Sequence, residues 1–257
     1  MANVPLDIWM NICDIVADMK DQKTLMACSL VRPDLTAPCQ KHLFSNITVT
    51  FGQNPSASNL CQILERNPWL ISNIKSLEFQ FDTEDQFHFP TVLSLLSKCQ
   101  NVPSFSIRFQ VESNGDLSPM VNILTSPTLT NLCIDGIHIP VAIIAIHIQG
   151  NLKHLEVTRG SVLTDPTAPM WKMASSTRSD PISLLSLKAN SSTISSLLRA
   201  KLADGSTDLF DFTHLQTLTA VEFHNTTAVT ALLRRTTRLN TLRMKLRGRT
   251  LASERSI

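Results

Sequence analysis

The chain has 257 residues, of which 43% are apolar and 17% charged, and its formal net charge is +2. That balance excludes a disordered polar chain and gives no global argument for nucleic-acid binding. The length suits one large domain, or a small module followed by a larger one.

No basic segment precedes an apolar run at the N-terminus, so no secretory signal is expected. The most apolar stretch, Ile137 to Ile148, is broken by Pro140, His138 and His147. It falls short of the ~20 apolar residues that a membrane span needs. The cysteines, Cys13, Cys28, Cys39, Cys61, Cys99 and Cys133, form no C-x-x-C pair. They read as reduced thiols of an intracellular protein, cytoplasmic or nuclear.

From Val4 to Val49 the chain reads as three short helices. Pro5 suits a first helical turn, where Asp7 complements the helix dipole. Ile8, Ile12, Ile15, Val16 and Met19 recur at helical spacing as one apolar stripe. Asp21 is the expected N-cap of a second helix carrying Leu25, Cys28, Leu30 and Val31. Pro33 opens a third with Leu35, Leu43 and Phe44, and Pro38 is expected to confine that helix to one side of itself. A unit this small is marginal alone, and its apolar residues need something to dock against.

Val4-Pro5, Asp7-Ile8, Ile12, the run Leu25-Met26-Ala27-Cys28-Ser29-Leu30-Val31 and the closing Gln40-Lys41-His42-Leu43-Phe44 together resemble an F-box of the fungal type. Val4 stands where the family usually has Leu, and Leu35 where a Trp is common. The resemblance implies that residues 1–50 bind a Skp-type adaptor and link the chain to a cullin–RING ubiquitin ligase. The implied docking set is Val4, Pro5, Leu6, Ile8, Ile12, Leu25, Leu30, Val31 and Leu35. Which of them face the partner and which face the module's own core is open at this level.

Beyond about residue 55, a helical piece and a short L-x-x-L-x-L strand recur. The strand cores are Ile74 to Phe79, Val102 to Ile107, Leu129 to Ile134, Leu152 to Val157, Leu184 to Leu187, Leu215 to Leu218 and Leu239 to Met244. Leu77, Phe105, Leu132, Leu155, Leu187, Leu218 and Leu242 are equivalent and lie 23 to 32 residues apart. Helical pieces alternate with them at Leu60 to Arg66, Thr91 to Lys98, Met120 to Leu124, Ile194 to Leu202 and Ala228 to Arg235. That period predicts an α/β fold: an irregular leucine-rich-repeat-like solenoid with a curved parallel sheet over residues 51–250, and a tail at 251–257. A non-repetitive parallel α/β domain would carry the same pattern.

Arg159 to Asp180, which includes Pro166, Pro169 and Trp171, reads as a long surface loop. Near the C-terminus Leu242, Met244 and Leu246 alternate with Arg243, Lys245 and Arg247, so a strand there carries one apolar and one basic face. The same alternation makes Glu78, Gln80, Arg108, Glu156, Arg243, Lys245 and Arg247 the candidate substrate-binding side chains of the concave face. The basic row would suit an acidic or phosphorylated segment; it would equally protect a solvated edge strand.

Signatures of catalysis are missing from the sequence: no glycine-rich phosphate loop, no G-x-S-x-G and no H-E-x-x-H. Asp82, Glu84 and Asp85 lack the spacing of a calcium loop and read as a solvated turn, and His138 and His147 read as structural. No catalytic residue, metal or cofactor is therefore expected, nor any nucleic-acid or membrane partner. The expected role is substrate adaptor of a ubiquitin ligase. The alternatives are a repeat scaffold whose N-terminal helices only cap it, unconnected to ubiquitin, and a hydrolase built on an α/β sheet.

Overall fold

A computed structural model describes residues 5–51, 56–82, 90–113, 120–140, 148, 151–160, 162–163, 180–202, 206–222, 226–246 and 249–251. The chain begins with three helices, α1 (Leu6–Asp18), α2 (Gln22–Val31) and α3 (Pro33–Leu43). Pro5 precedes the first turn of α1 as its N-cap. Asp21 caps α2 as expected, its carboxylate accepting from the Thr24 N–H at 3.1 Å and the Thr24 hydroxyl at 2.6 Å.

Pro38 does not end α3. The helix runs through it to Leu43, although an interior proline costs about 3 kcal/mol. Leu35 and Cys39 on either side of Pro38 are both buried against α1 and α2, and this packing outweighs the missing bond. The carbonyl that Pro38 leaves without a donor belongs to Asp34, an exposed residue that water reaches.

The sheet starts earlier than the sequence suggests. Strand β1 (Asn46–Phe51) pairs in parallel with β2 (Ser76–Phe81), so residues 46–50 belong to the sheet and the helical module ends at Phe44. Between these strands lie α4 (Ser56–Arg66) and a 3-10 helix, Pro68–Asn73. The chain continues with α5 (Pro90–Lys98), β3 (Ser104–Ser113), α6 (Val121–Leu124), β4 (Asn131–Ile137), the short β5 (Ile139–Pro140), β6 (His154–Thr158) and the short β7 (Val162–Leu163). Then come β8 (Ile182–Ser183), β9 (Ser186–Asn190), α7 (Ser191–Arg199), β10 (Phe210–Asp211), β11 (Thr217–Val221), α8 (Thr226–Leu233), β12 (Thr241–Leu246) and β13 (Arg249–Leu251).

Eight strands form one parallel sheet in chain order: β1, β2, β3, β4, β6, β9, β11 and β12. Strand β13 closes the far edge in antiparallel orientation, so Arg249 to Leu251 belong to the sheet. Two small parallel pairs, β5 with β7 and β8 with β10, stand outside it. The architecture is mixed α/β.

Register explains the order. Ile47, Leu77, Phe105, Leu132, Leu155, Leu187, Leu218 and Leu242 face one another across the strands, and a second row joins Val49, Phe79, Ile107, Ile134, Val157, Ala189, Ala220 and Met244. The residue three before the first of these, as in Ile74, Val102, Leu129, Leu152, Leu184 and Leu215, is buried as well. The repeated L-x-x-L-x-L unit thus reads correctly as core. Leu64, Val92, Leu95, Leu96, Ile194, Leu197, Val229 and Leu232 join the same apolar cluster from the helices. At the N-terminal end the core is aromatic, with Phe81 stacked between Phe51 and Phe109 at centroid distances of 4.6 and 5.0 Å.

Strands β3 and β4 lose register after Arg108–Asp135. Gly136 at that point has φ +79°, and a Cβ there would lie 2.5 Å from the Phe109 carbonyl oxygen. Both the backbone angle and the close approach demand glycine. Gly136→Ala is expected to destabilise the protein by about 2 kcal/mol, read as a lower urea midpoint; an unchanged midpoint would show that the strand can part from Phe109 without cost.

Candidate functional site

Two surfaces gather the residues that the sequence singles out. The first is the helical module. Its core is small: Cys13, Leu25, Leu35 and Cys39, with Trp9, Val16, Ala17, Cys28 and Leu43 packed around them. Helix α1 therefore carries two apolar faces. Trp9, Cys13, Val16 and Ala17 point inward, while Ile8, Ile12, Ile15 and Met19, at the same helical spacing, remain exposed. On α2, Leu30 is 85% exposed and Val31 77%. Of the twelve large exposed hydrophobics among the described residues, nine lie on α1, α2 or the residue that closes α1. Complete burial of such a side chain is worth roughly 1.5–3 kcal/mol, and each forgoes the share that its exposure leaves open.

The structure divides the expected docking set. Pro5, Leu6, Ile8, Ile12, Leu30 and Val31 are exposed. Leu25 and Leu35, at 3% and 2% exposure, sit inside the module and offer no surface to a partner; they are the side chains that join the three helices. Val16, placed by spacing on one stripe with Ile8, Ile12, Ile15 and Met19, packs inward while those four stay exposed. Val4 lies outside the described residues.

The second surface is the sheet face opposite the helices. Strand alternation lines it with Glu78, Ser106, Cys133, Glu156, Lys188, Thr219 and Arg243 in one row. Gln80, Arg108, Asp135 and Thr158 stand in the next row at one end, and Asn190, Val221 and Lys245 at the other. All the candidate substrate-binding residues therefore share one face except Arg247, which lies outside the described residues.

Three acids on this face are paired within it. Arg108 reaches Glu78 at 3.2 Å; Lys188 bonds Glu156 on the neighbouring strand; Arg159 grips Asp135 through two bonds of 2.9 and 2.7 Å. Arg159 also donates to the Phe109 and Gln110 carbonyls at 2.9 and 3.2 Å, which ties the ends of β3, β4 and β6 together. Burial pushes the Asp135 carboxyl up, but hydrogen bonds from Arg159 and Thr158 and the charges of Arg159 and Arg108 outweigh it and hold it below the usual range. A shallow groove of about 220 Å³ crosses the face from Ser104 to Thr219, passing Asn131, Cys133, His154, Glu156 and Lys188.

The same alternation rule, extended to β4 and β9, would have found Asp135 and Lys188. Arg159 has no such signal. It follows the end of β6 with φ +47°, and only the fold brings it to Asp135. Of the other residues noted in the sequence, Asp82 accepts a bond from Gln110 at 2.7 Å, whereas Glu84, Asp85, His147 and Trp171 lie outside the described residues. All six cysteines are free thiols. Burial pushes Cys99 up to about 11, and burial with the neighbouring Cys13 pushes Cys39 up to about 12, so both remain protonated and poorly nucleophilic at neutral pH.

Among the described residues no group of three or more His, Cys, Asp or Glu side chains has metal-binding geometry, and no helix is long and apolar enough to cross a membrane. No protein-family model, curated protein or solved structure matches the chain.

A folded-state pKa below the unfolded value makes the Asp135 contribution complete above about pH 4 and lost as pH falls through the folded value. Stability measured by urea unfolding is therefore expected to drop on acidification below about pH 4, with a smaller drop in Asp135→Asn. Equal slopes for the two proteins would mean that the Arg159 pair adds no net stabilisation.

Proposed function

We propose that the protein is a non-catalytic substrate adaptor of a cullin–RING ubiquitin ligase. In this reading the three-helix module is an F-box that binds a Skp-type adaptor. The strand-and-helix repeats form a leucine-rich-repeat-like solenoid whose polar face receives a protein substrate. Ubiquitin transfer takes place elsewhere in the assembly, in the cytoplasm or nucleus, so no side chain here has to react.

The observation that carries the reading is the exposed apolar face of α1 and α2. Helices that merely capped the repeats would spend such side chains on the sheet. Here the module touches the sheet through α3: Phe44 packs on the large core and the Ser45 carbonyl accepts from Lys75 and Ser76. Ile8, Ile12, Ile15, Leu30 and Val31 stay open. Nine large apolar side chains left open on or beside two packed helices suit a protein-binding surface. The order of the residues shared with fungal F-boxes supports the same conclusion, and the sheet adds support of its own: its strands follow chain order, its helices lie on one face, and its other face is polar and open.

Co-expression with a Skp-type adaptor followed by size-exclusion chromatography tests the reading. The wild type is expected to co-elute. Ile8→Asp with Leu30→Asp should weaken the complex by about 2 kcal/mol or more per site while leaving the thermal transition unchanged. Leu25→Ala should instead destabilise the module by about 2–5 kcal/mol, seen as lost helical signal with lost binding. A folded wild type that elutes alone would return the helices to a capping role in a scaffold unconnected to ubiquitin.

A further inference from the structure

We infer that the polar face binds an acidic segment of its protein partner, and that Arg243 and Lys245 on β12 hold the acidic side chains. The inference rests on reading that face as the substrate surface.

Charge on the face is unevenly settled. Toward the N-terminal strands three acids already have their cations: Glu78 with Arg108, Asp135 with Arg159, Glu156 with Lys188. Beyond β9 the balance changes. Arg243 stands opposite Thr219, and Lys245 opposite Val221. Both are exposed, and neither has a hydrogen bond or ion pair among the described residues. Glu222, which follows Val221, pairs with neither.

Other cations also lack partners, but several of them end helices. Arg199 closes α7 and Arg234 follows α8, where the helix dipole accounts for a positive charge. Arg243 and Lys245 lie within a strand, where that explanation fails. Edge protection does not account for Lys245 either, because β13 already pairs with Met244 to Leu246.

Geometry adds the rest. Arg243 and Lys245 are two residues apart on one strand, so their side chains stand roughly 7 Å apart on the same face. The groove along the face ends at Thr219, the residue opposite Arg243. Its one acid on the way, Glu156, is neutralised by Lys188. A segment lying in the groove therefore meets no unpaired negative charge before its acidic end reaches β12. Carboxylates of Asp or Glu and phosphates on Ser or Thr share the chemistry that these two cations recognise.

The test is fluorescence anisotropy of the full chain with a labelled, extended peptide of alternating Glu and Ser. Its phosphoserine version and its Lys counterpart are run beside it. The wild type should bind both acidic forms, more weakly as salt rises, and should not bind the Lys form. Arg243→Gln with Lys245→Gln should lose about tenfold or more in affinity. Arg234→Gln with Arg238→Gln removes the same charge away from the strand and should change it by less than about twofold. Tighter binding of the phosphoserine form would make phosphorylated segments the source, and equal binding would make simple acidic ones sufficient; both support the inference. No binding, equal binding by the β12 variant, an equal loss in the control variant, or tighter binding of a short DNA duplex would overturn it. Adaptor co-elution is measured separately, so its success alongside failed peptide binding would remove this inference alone.

Discussion

Each strand of the main sheet presents a leucine-sized side chain that it has no means to cover by itself. Leu77 needs Phe105 beside it, Phe105 needs Leu132, and so on through Leu155, Leu187 and Leu218. Because the side chains alternate with a period of two, slipping a strand by one residue would turn its whole apolar set toward water. Burial on one face therefore fixes the register along the sheet, and the register in turn places every polar side chain on the opposite face. Glu156 meets Lys188, and Asp135 meets Thr158, as consequences of where the leucines go.

The same constraint gives the molecule two unlike surfaces. Parallel sheets are usually covered on both faces. Here helices cover one, and the other keeps charged and hydroxyl side chains in contact with water. Such a face does not fold the chain; it is free to differ from strand to strand. Among the described residues three of its acids are paired with cations at one end, while Arg243 and Lys245 stand unpaired at the other, so it carries an electrostatic direction along the chain.

The N-terminal helices obey a different limit. Three short helices enclose too little volume to bury all of their apolar side chains, so the module keeps one face of α1 for its core and leaves the other exposed. Cys13 and Cys39 show how tight that interior is, with their sulfurs 3.5 Å apart. The exposed face and the polar sheet face differ in chemistry: the first suits a partner that offers apolar surface, the second a partner chosen by charge and hydrogen bonding.

Much of this was legible in the linear chain. The leucine period named the strand positions, the Asp21 cap and the Pro33 start placed helices correctly, and period-two alternation put Glu78, Arg108, Glu156, Arg243 and Lys245 on one face. These are local or repetitive signals, set by backbone geometry and by the need to bury apolar groups. Tertiary structure alone decided the rest. It drew Asn46 to Phe51 into the sheet, because an edge strand takes its identity from its neighbour β2. It carried α3 through Pro38, because packing outweighed a lost hydrogen bond. It sent Leu25 and Leu35 inward while leaving Ile8 and Leu30 outside, a choice that helical spacing cannot make when both faces of a helix are apolar. And it brought Arg159 to Asp135 across 24 residues, a contact that depends on a left-handed backbone turn and two neighbouring strands rather than on any pattern in the sequence.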